Sequence, residues 1–150
     1  MKEDTFVYVT FIKTTAEKLW EALTNSEFIE KYWFGSTFET DWKVGSKIIE
    51  TRDTGEPGFH GEILESEPPR RLVYSFVVPG REASKVTYEI ASHGQMVTLK
   101  VIHAGYDKDS AEYKSTSNGW SAIMSGIKTL LETGKPLDKD SIYDLFGRLN

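Results

Sequence analysis

Four side chains in this sequence have acid or base chemistry and fall where folding could turn them inward: Glu50, Tyr74, Tyr88 and His103. A general acid or base must sit within hydrogen-bond reach of its substrate, with a pKa tuned by its surroundings. Val97, Leu99, Val101 and His103 share one face of a strand, with Thr98 and Lys100 on the other. That apolar row should face the core, which places His103 at its end, near the mouth of any cavity. The ordinary role for such a residue is a strand-end histidine bonded to backbone; the sharper one is a polar contact to a ligand. Tyr74 alternates with Leu72 and Phe76, and Tyr88 with Val86 and Ile90. Both phenols would need a hydrogen-bond partner if buried, and a ligand could supply one. Glu50 and Arg52 lie in a strand with Ile48. An inward Glu50 is costly without pairing and would mark a function, so an outward, solvated position is the expectation. None of the four forms a pair by spacing, and no catalytic residue is assigned.

Other chemistries are excluded more simply. The 150 residues contain no cysteine, hence no disulfide, thiolate metal site or cysteine nucleophile. His60, His93 and His103 lie far apart without ligand spacing, so no metal site is expected. No phosphate-binding loop, dinucleotide fingerprint or nucleophile elbow occurs, and no cofactor is expected. A net charge of -5 without a basic stripe argues against a nucleic-acid partner. There is no long apolar run to span a membrane, and the N-terminus lacks the apolar core of a signal peptide, which fits a cytoplasmic protein.

The elements that must position these residues follow from periodicity. Thr5–Lys13 predicts a strand. Thr14 or Thr15 can cap a helix with Ala16, Leu19, Trp20 and Leu23 on one face, and Ser26 can cap a second short helix over Glu27–Trp33. Strands separated by turns are then expected at Thr37–Asp41, Ser46–Arg52, Gly58–Ser66, Arg71–Val77, Lys85–Ala91 and Gln95–Ala104. The spacing leaves no room for parallel crossovers and favours an antiparallel meander. A long helix is expected over Asp109–Thr133, with Asp109 and Glu112 as a capping pair and Gly134 and Pro136 as the stop. It carries Trp120, Ile123, Met124, Ile127, Leu130 and Leu131 on one face.

The two halves of this helix differ. The first continues the same face with only Tyr113, Thr116 and Ser117. A parallel stripe of Ser115, Gly119, Ala122 and Gly126 suits close packing on another backbone, or the edge of a cavity. Trp33, Phe34, Phe38 and Trp42 form an aromatic cluster at the second short helix, with Trp33 expected inside and Trp42 nearer the surface. In the tail, Ser141 can cap a short helix with Ile142, Leu145, Phe146 and Leu149 on one face, which must dock on its own chain or on a second copy.

These features resemble a known family. The chain is similar to the START-like, helix-grip superfamily (SRPBCC), and within it to homologues of the activator of the heat-shock-protein-90 ATPase. The resemblance rests on Ala16-Glu17-Lys18-Leu19-Trp20-Glu21-Ala22-Leu23-Thr24 followed by Trp33, and on Val44-Gly45-Ser46. It continues through Gly61-Glu62-Ile63-Leu64-Glu65, Pro68-Pro69-Arg70-Arg71-Leu72-Val73-Tyr74, His103-Ala104-Gly105, and Gly119-Trp120 with Leu130 and Leu131. Ser46 stands where many members have glycine. The resemblance implies an α+β helix-grip fold over residues 1–134, a curved antiparallel sheet around the long helix, with 135–150 as an extension.

It also implies a largely apolar cavity between sheet and helix. Residues placed at that cavity are Trp33, Tyr74, Phe76, Tyr88, Leu99, His103, Tyr113, Ser117, Trp120 and Met124. Members include lipid and polyketide carriers, cyclases and co-chaperone domains, so fold alone does not assign activity. The expected function is binding of a small hydrophobic or aromatic molecule. The alternatives are a cyclase-like or hydratase-like enzyme, and a module acting on the heat-shock ATPase. A homodimer is a further possibility.

Overall fold

The computed structural model describes the backbone of residues 4–106 and 111–149 and the side chains of 5–105 and 116–145. Strand β1 (Asp4–Ile12) leads into helices α1 (Ala16–Thr24) and α2 (Ser26–Tyr32). Six strands follow: β2 (Thr37–Glu39), β3 (Lys47–Thr51), β4 (Pro57–Glu67), β5 (Arg71–Phe76), β6 (Ser84–His93) and β7 (Met96–Tyr106). The chain ends in the long helix α3 (Ala111–Thr133) and the short α4 (Lys139–Leu149). The expected capping of α3 by Asp109 and Glu112 lies outside the described residues.

All neighbouring strands are antiparallel, in the order β1-β7-β6-β5-β4-β3-β2. Each hairpin sets the next strand beside the last. Only β1, separated from β2 by two helices, returns to pair with β7. Every second residue of a strand faces α3: Leu72 and Tyr74 on β5, Val86, Tyr88 and Ile90 on β6, and Val97, Leu99, Val101 and His103 on β7 are buried. Against them α3 presents Trp120, Ile123, Met124, Ile127 and Leu130, all buried. The α+β helix-grip arrangement expected from the sequence is the one observed.

Local chemistry explains the helix ends, with two departures from expectation. Thr15 caps α1 by accepting from the Lys18 N–H at 3.2 Å. Asn25, not Ser26, caps α2: its extended backbone brings Oδ1 to 2.9 Å from the Glu27 N–H, while Ser26 is already helical. Gly134, at φ 79°, closes α3 by donating its N–H to the Leu130 carbonyl at 2.8 Å. Helix α4 starts earlier than Ser141, because the Ile142 N–H already reaches the Asp138 carbonyl at 3.2 Å and Ser141 Oγ donates to Asp138 Oδ2 at 2.5 Å. It lies on its own chain: Lys139 pairs with Asp53 at 2.7 Å, Tyr143 Oη donates to the Phe34 carbonyl at 2.7 Å, and Ile142 packs against the core. Phe146 and Leu149 fall outside the described side chains.

Candidate functional site

Helix α3 is closely packed at Gly126 and open at Gly119. At Gly126 a Cβ would come within 3.3 Å of both Cβ and carbonyl of Tyr32, so α3 there rests directly on α2. At Gly119, two turns earlier on the same stripe, a Cβ would meet nothing within 4 Å. The space in front of Gly119 is part of a groove of about 390 Å³, within the ~300–1,000 Å³ of small-molecule sites. A larger hollow of about 730 Å³ lies between α2 and the segment leading into α4, but Glu27, Glu30, Lys31, Asp53 and Asp138 line it, all exposed. It has the charge of open surface rather than of a binding cavity.

The groove is built from six parts of the chain. Helix α3 contributes Thr116, Gly119, Trp120 and Ile123. The turn after α2 contributes Trp33, Phe34 and Ser36, and the ends of β3 and β5 contribute Glu50 and Phe76. Tyr143 of α4 forms part of one wall, and the exposed Arg52 and Arg81 stand on the rim. Phe34 has φ 54°, a left-handed conformation that costs about 1–2 kcal/mol outside glycine. Its carbonyl is the group that receives the Tyr143 hydroxyl, so the strained turn is tied to α4. The aromatic rings brace one another: Trp33 meets Trp120 edge-on at 5.5 Å and Phe38 at 4.8 Å, while Phe59 stacks on Phe76 at 4.2 Å. Such pairs are worth about 0.5–1.5 kcal/mol each beyond burial, which makes the aromatic wall stiff.

Behind Trp120 lies His103, fully buried. Trp120 Nε1–H donates to His103 Nδ1 at 2.9 Å, so that nitrogen is an acceptor and the proton of the neutral ring is on Nε2. Nε2 is 2.8 Å from Ser84 Oγ, which donates to the Phe76 carbonyl at 3.1 Å. Burial lowers the His103 pKa from 6.5 to about 3, so the ring is neutral at physiological pH. His103 therefore does not stand at a cavity mouth as expected: it is sealed in the core, with Trp120 and Ser84 on its two ring nitrogens. It locks Trp120 to the sheet, and the reason is that β7 runs under the helix rather than ending beside the groove.

Glu50 is the larger correction. It shares strand parity with Ile48, which is completely buried, so it must point inward as well; it is only 7% exposed. Its Oε2 accepts from Ser36 Oγ at 2.6 Å and its Oε1 from the Phe59 N–H at 3.1 Å. Gly58 makes room for it, since a Cβ there would lie 2.1 Å from Oε1. Among the described residues no cation lies within ion-pair distance of this carboxylate, and Glu50 is not bonded to His103. Arg52 stays exposed.

Of the residues placed at a cavity from the sequence, the groove brings together Trp33, Phe76 and Trp120. Leu99, Met124 and His103 are sealed in the core instead. Tyr74 and Tyr88 are buried too, and their hydroxyls bond to each other at 2.9 Å. Burial, with the neighbouring Tyr74, holds the Tyr88 phenol well above its ordinary pKa, so that phenol is not poised to ionise. Ser117 is half-buried outside the groove lining, and the Tyr113 side chain lies outside the described residues. Trp42 is half-buried beside Phe38, and Trp33 is inside. The sequence reading missed Ser36, Arg81 and Tyr143. Nothing local marks them; they reach the groove through a turn, a loop and the docking of α4. No cluster that could hold a metal ion exists among the described residues, and no described helix is long and apolar enough to cross a membrane.

The structure of CalU16 from Micromonospora echinospora superposes with a TM-score of 0.76 at 19% identity, covering 96% of this chain and 84% of that one. An HSP90 activator from Plasmodium falciparum, PFC0360w, gives 0.73 at 23% identity, covering 85% and 95%. The Aha1 dimer from Colwellia psychrerythraea gives 0.76 at 18% identity, covering 88% and 98%. These likenesses establish the shared fold. No curated protein matches the chain in sequence. Residues 13–132, from the end of β1 almost to the end of α3, match the model of one family, and the chain belongs to it: the Activator of Hsp90 ATPase homolog 1-like proteins.

Proposed function

We propose that this protein binds a small, flat, largely apolar molecule in the groove between the first half of α3 and the ends of β3 and β5. The observation that carries this reading is the unfilled space at Gly119, walled by Trp33, Phe76, Trp120 and Ile123, while Gly126 two turns on is packed against Tyr32. Aromatic walls offer large apolar contact at little entropic cost, and a ligand would withdraw them from water. A flat aromatic or polyketide-like body fits a braced aromatic wall better than a flexible acyl chain does.

The test is a thermal-shift screen of flat aromatic and fatty compounds against the wild type and Gly119→Leu. A ligand at a hundredfold excess over its Kd stabilises the native state by about 2.7 kcal/mol, a shift of several degrees. Gly119→Leu should stay folded and lose that shift. A screen with no stabilising compound would remove the reading. Stimulation of the heat-shock-protein-90 ATPase, the activity for which the family is named, is measured in the same preparation. Stimulation that survives Gly119→Leu would favour an interaction role instead of a groove-bound ligand.

A further inference from the structure

We propose that Glu50 is the acceptor end of the site, and that the molecule it selects carries a neutral hydroxyl, of phenol type, on the end that enters the groove first. The inference deepens the binding reading and rests on it. A carboxylate can accept about four hydrogen bonds, and Glu50 receives two from the protein, from Ser36 Oγ and the Phe59 N–H. It is more than nine-tenths buried, has no ion pair among the described residues, and borders the groove together with Ser36. A buried carboxylate without a cation is costly, and the sequence goes to some length to keep this one. Gly58 is required to clear Oε1, and Ser36, itself buried, is held on Oε2. A strand that needed only packing at this position would carry another residue like Ile48.

What completes the carboxylate follows from its surroundings. A ligand cation would satisfy the charge, but the exposed Arg52 guanidinium stands on the rim of the same groove and repels a cation on its way in. A neutral O–H donor meets no such barrier, and a hydrogen bond to an ionised acceptor is the stronger kind. The aromatic wall formed by Trp33 and Trp120 adjoins this end of the groove, so a hydroxyl attached directly to a flat ring would bring both contacts into play.

The experiment titrates four bicyclic probes, naphthalene, 2-naphthol, 2-methoxynaphthalene and 2-naphthylmethylamine, into the wild type and Glu50→Gln by fluorescence or calorimetry. The expected result is that 2-naphthol binds about tenfold or more tightly than naphthalene and its methyl ether, with that preference gone in Glu50→Gln. The comparison among probes on the wild type needs no variant, so a Glu50→Gln that fails to fold leaves it intact. Equal binding of naphthol and naphthalene would overturn the hydroxyl assignment while leaving the groove reading standing. A preference that persists in a folded Glu50→Gln would overturn the role of Glu50, and tighter binding of the amine would overturn the choice of a neutral donor. Binding of none of the four would count against the groove itself.

Discussion

The two halves of α3 share one stripe of small residues and do opposite things with it. Only the second half carries a full apolar face beside that stripe. From Ala122 onward that stripe brings the helix against α2, with Gly126 on Tyr32, and the apolar face of Met124, Ile127 and Leu130 is fully buried. Before Ala122 the same stripe meets empty space at Gly119, and Thr116 borders a groove. The difference lies in what faces the helix, and Trp120 divides the two regimes. On one side it abuts the core through His103; on the other it forms a wall of the groove. A small residue in a helix therefore has no fixed meaning. Its role is decided by whether a backbone or a void lies opposite.

The largest effect expected from this contrast comes from the packed half. Ile127→Ala should cost about 2–5 kcal/mol by leaving a cavity that cannot collapse. Chemical denaturation reads it directly, and a loss below 1 kcal/mol would mean that the second half is looser than described. Gly126→Leu should follow, at about 1–3 kcal/mol or more, because the new side chain must displace Tyr32.

The junction is tested by acid. The folded pKa of His103 lies at about 3, below the ordinary 6.5. The unfolded chain therefore binds a proton that the folded chain refuses throughout that window. The stability at stake is complete above pH 6.5 and is lost as pH falls toward 3, by up to about 1.4 kcal/mol per unit. Urea midpoints between pH 7 and 5 should fall in the wild type and flatten in His103→Gln. A wild type as flat as the variant would show that water from the groove reaches the ring. The smallest effect belongs to the open half. Gly119→Ala should raise stability by about 0.5–1 kcal/mol, since it gains helix propensity and meets no neighbour. Destabilisation there would mean that the groove is closed in solution.

Much of this architecture was legible in the residues. Strand alternation in Val97, Leu99, Val101 and His103 gave the inward face of β7, and steps of three and four gave the packed face of α3, because period alone determines which side chains share a face. The groove was only partly legible. Thr116 and the small stripe signal an under-filled half-helix, yet Ser117, one residue on, does not line the groove. One residue turns an α-helix by about 100°, so a face drawn wide enough to hold both Thr116 and Ser117 includes positions that turn away from the groove. Glu50 was within reach of the same logic that found β7: Ile48 and Glu50 share parity, and a buried Ile48 forces the carboxylate inward. The rarity of buried charge argues the other way, and strand geometry prevails over it. Tyr143 and Arg81 carry no such signal, since their positions depend on how α4 and the β5–β6 connection fold back over the groove.

The central claim is that ligand and core occupy different halves of one helix. An amide and indole N–H NMR titration with 2-naphthol tests it most directly. The account predicts that shifts concentrate at Thr116, Gly119, Trp120 and Ile123 and at the Trp33 indole, with Gly126, Ile127 and Leu130 unmoved. Shifts spread evenly along α3, or centred on its second half, would contradict it.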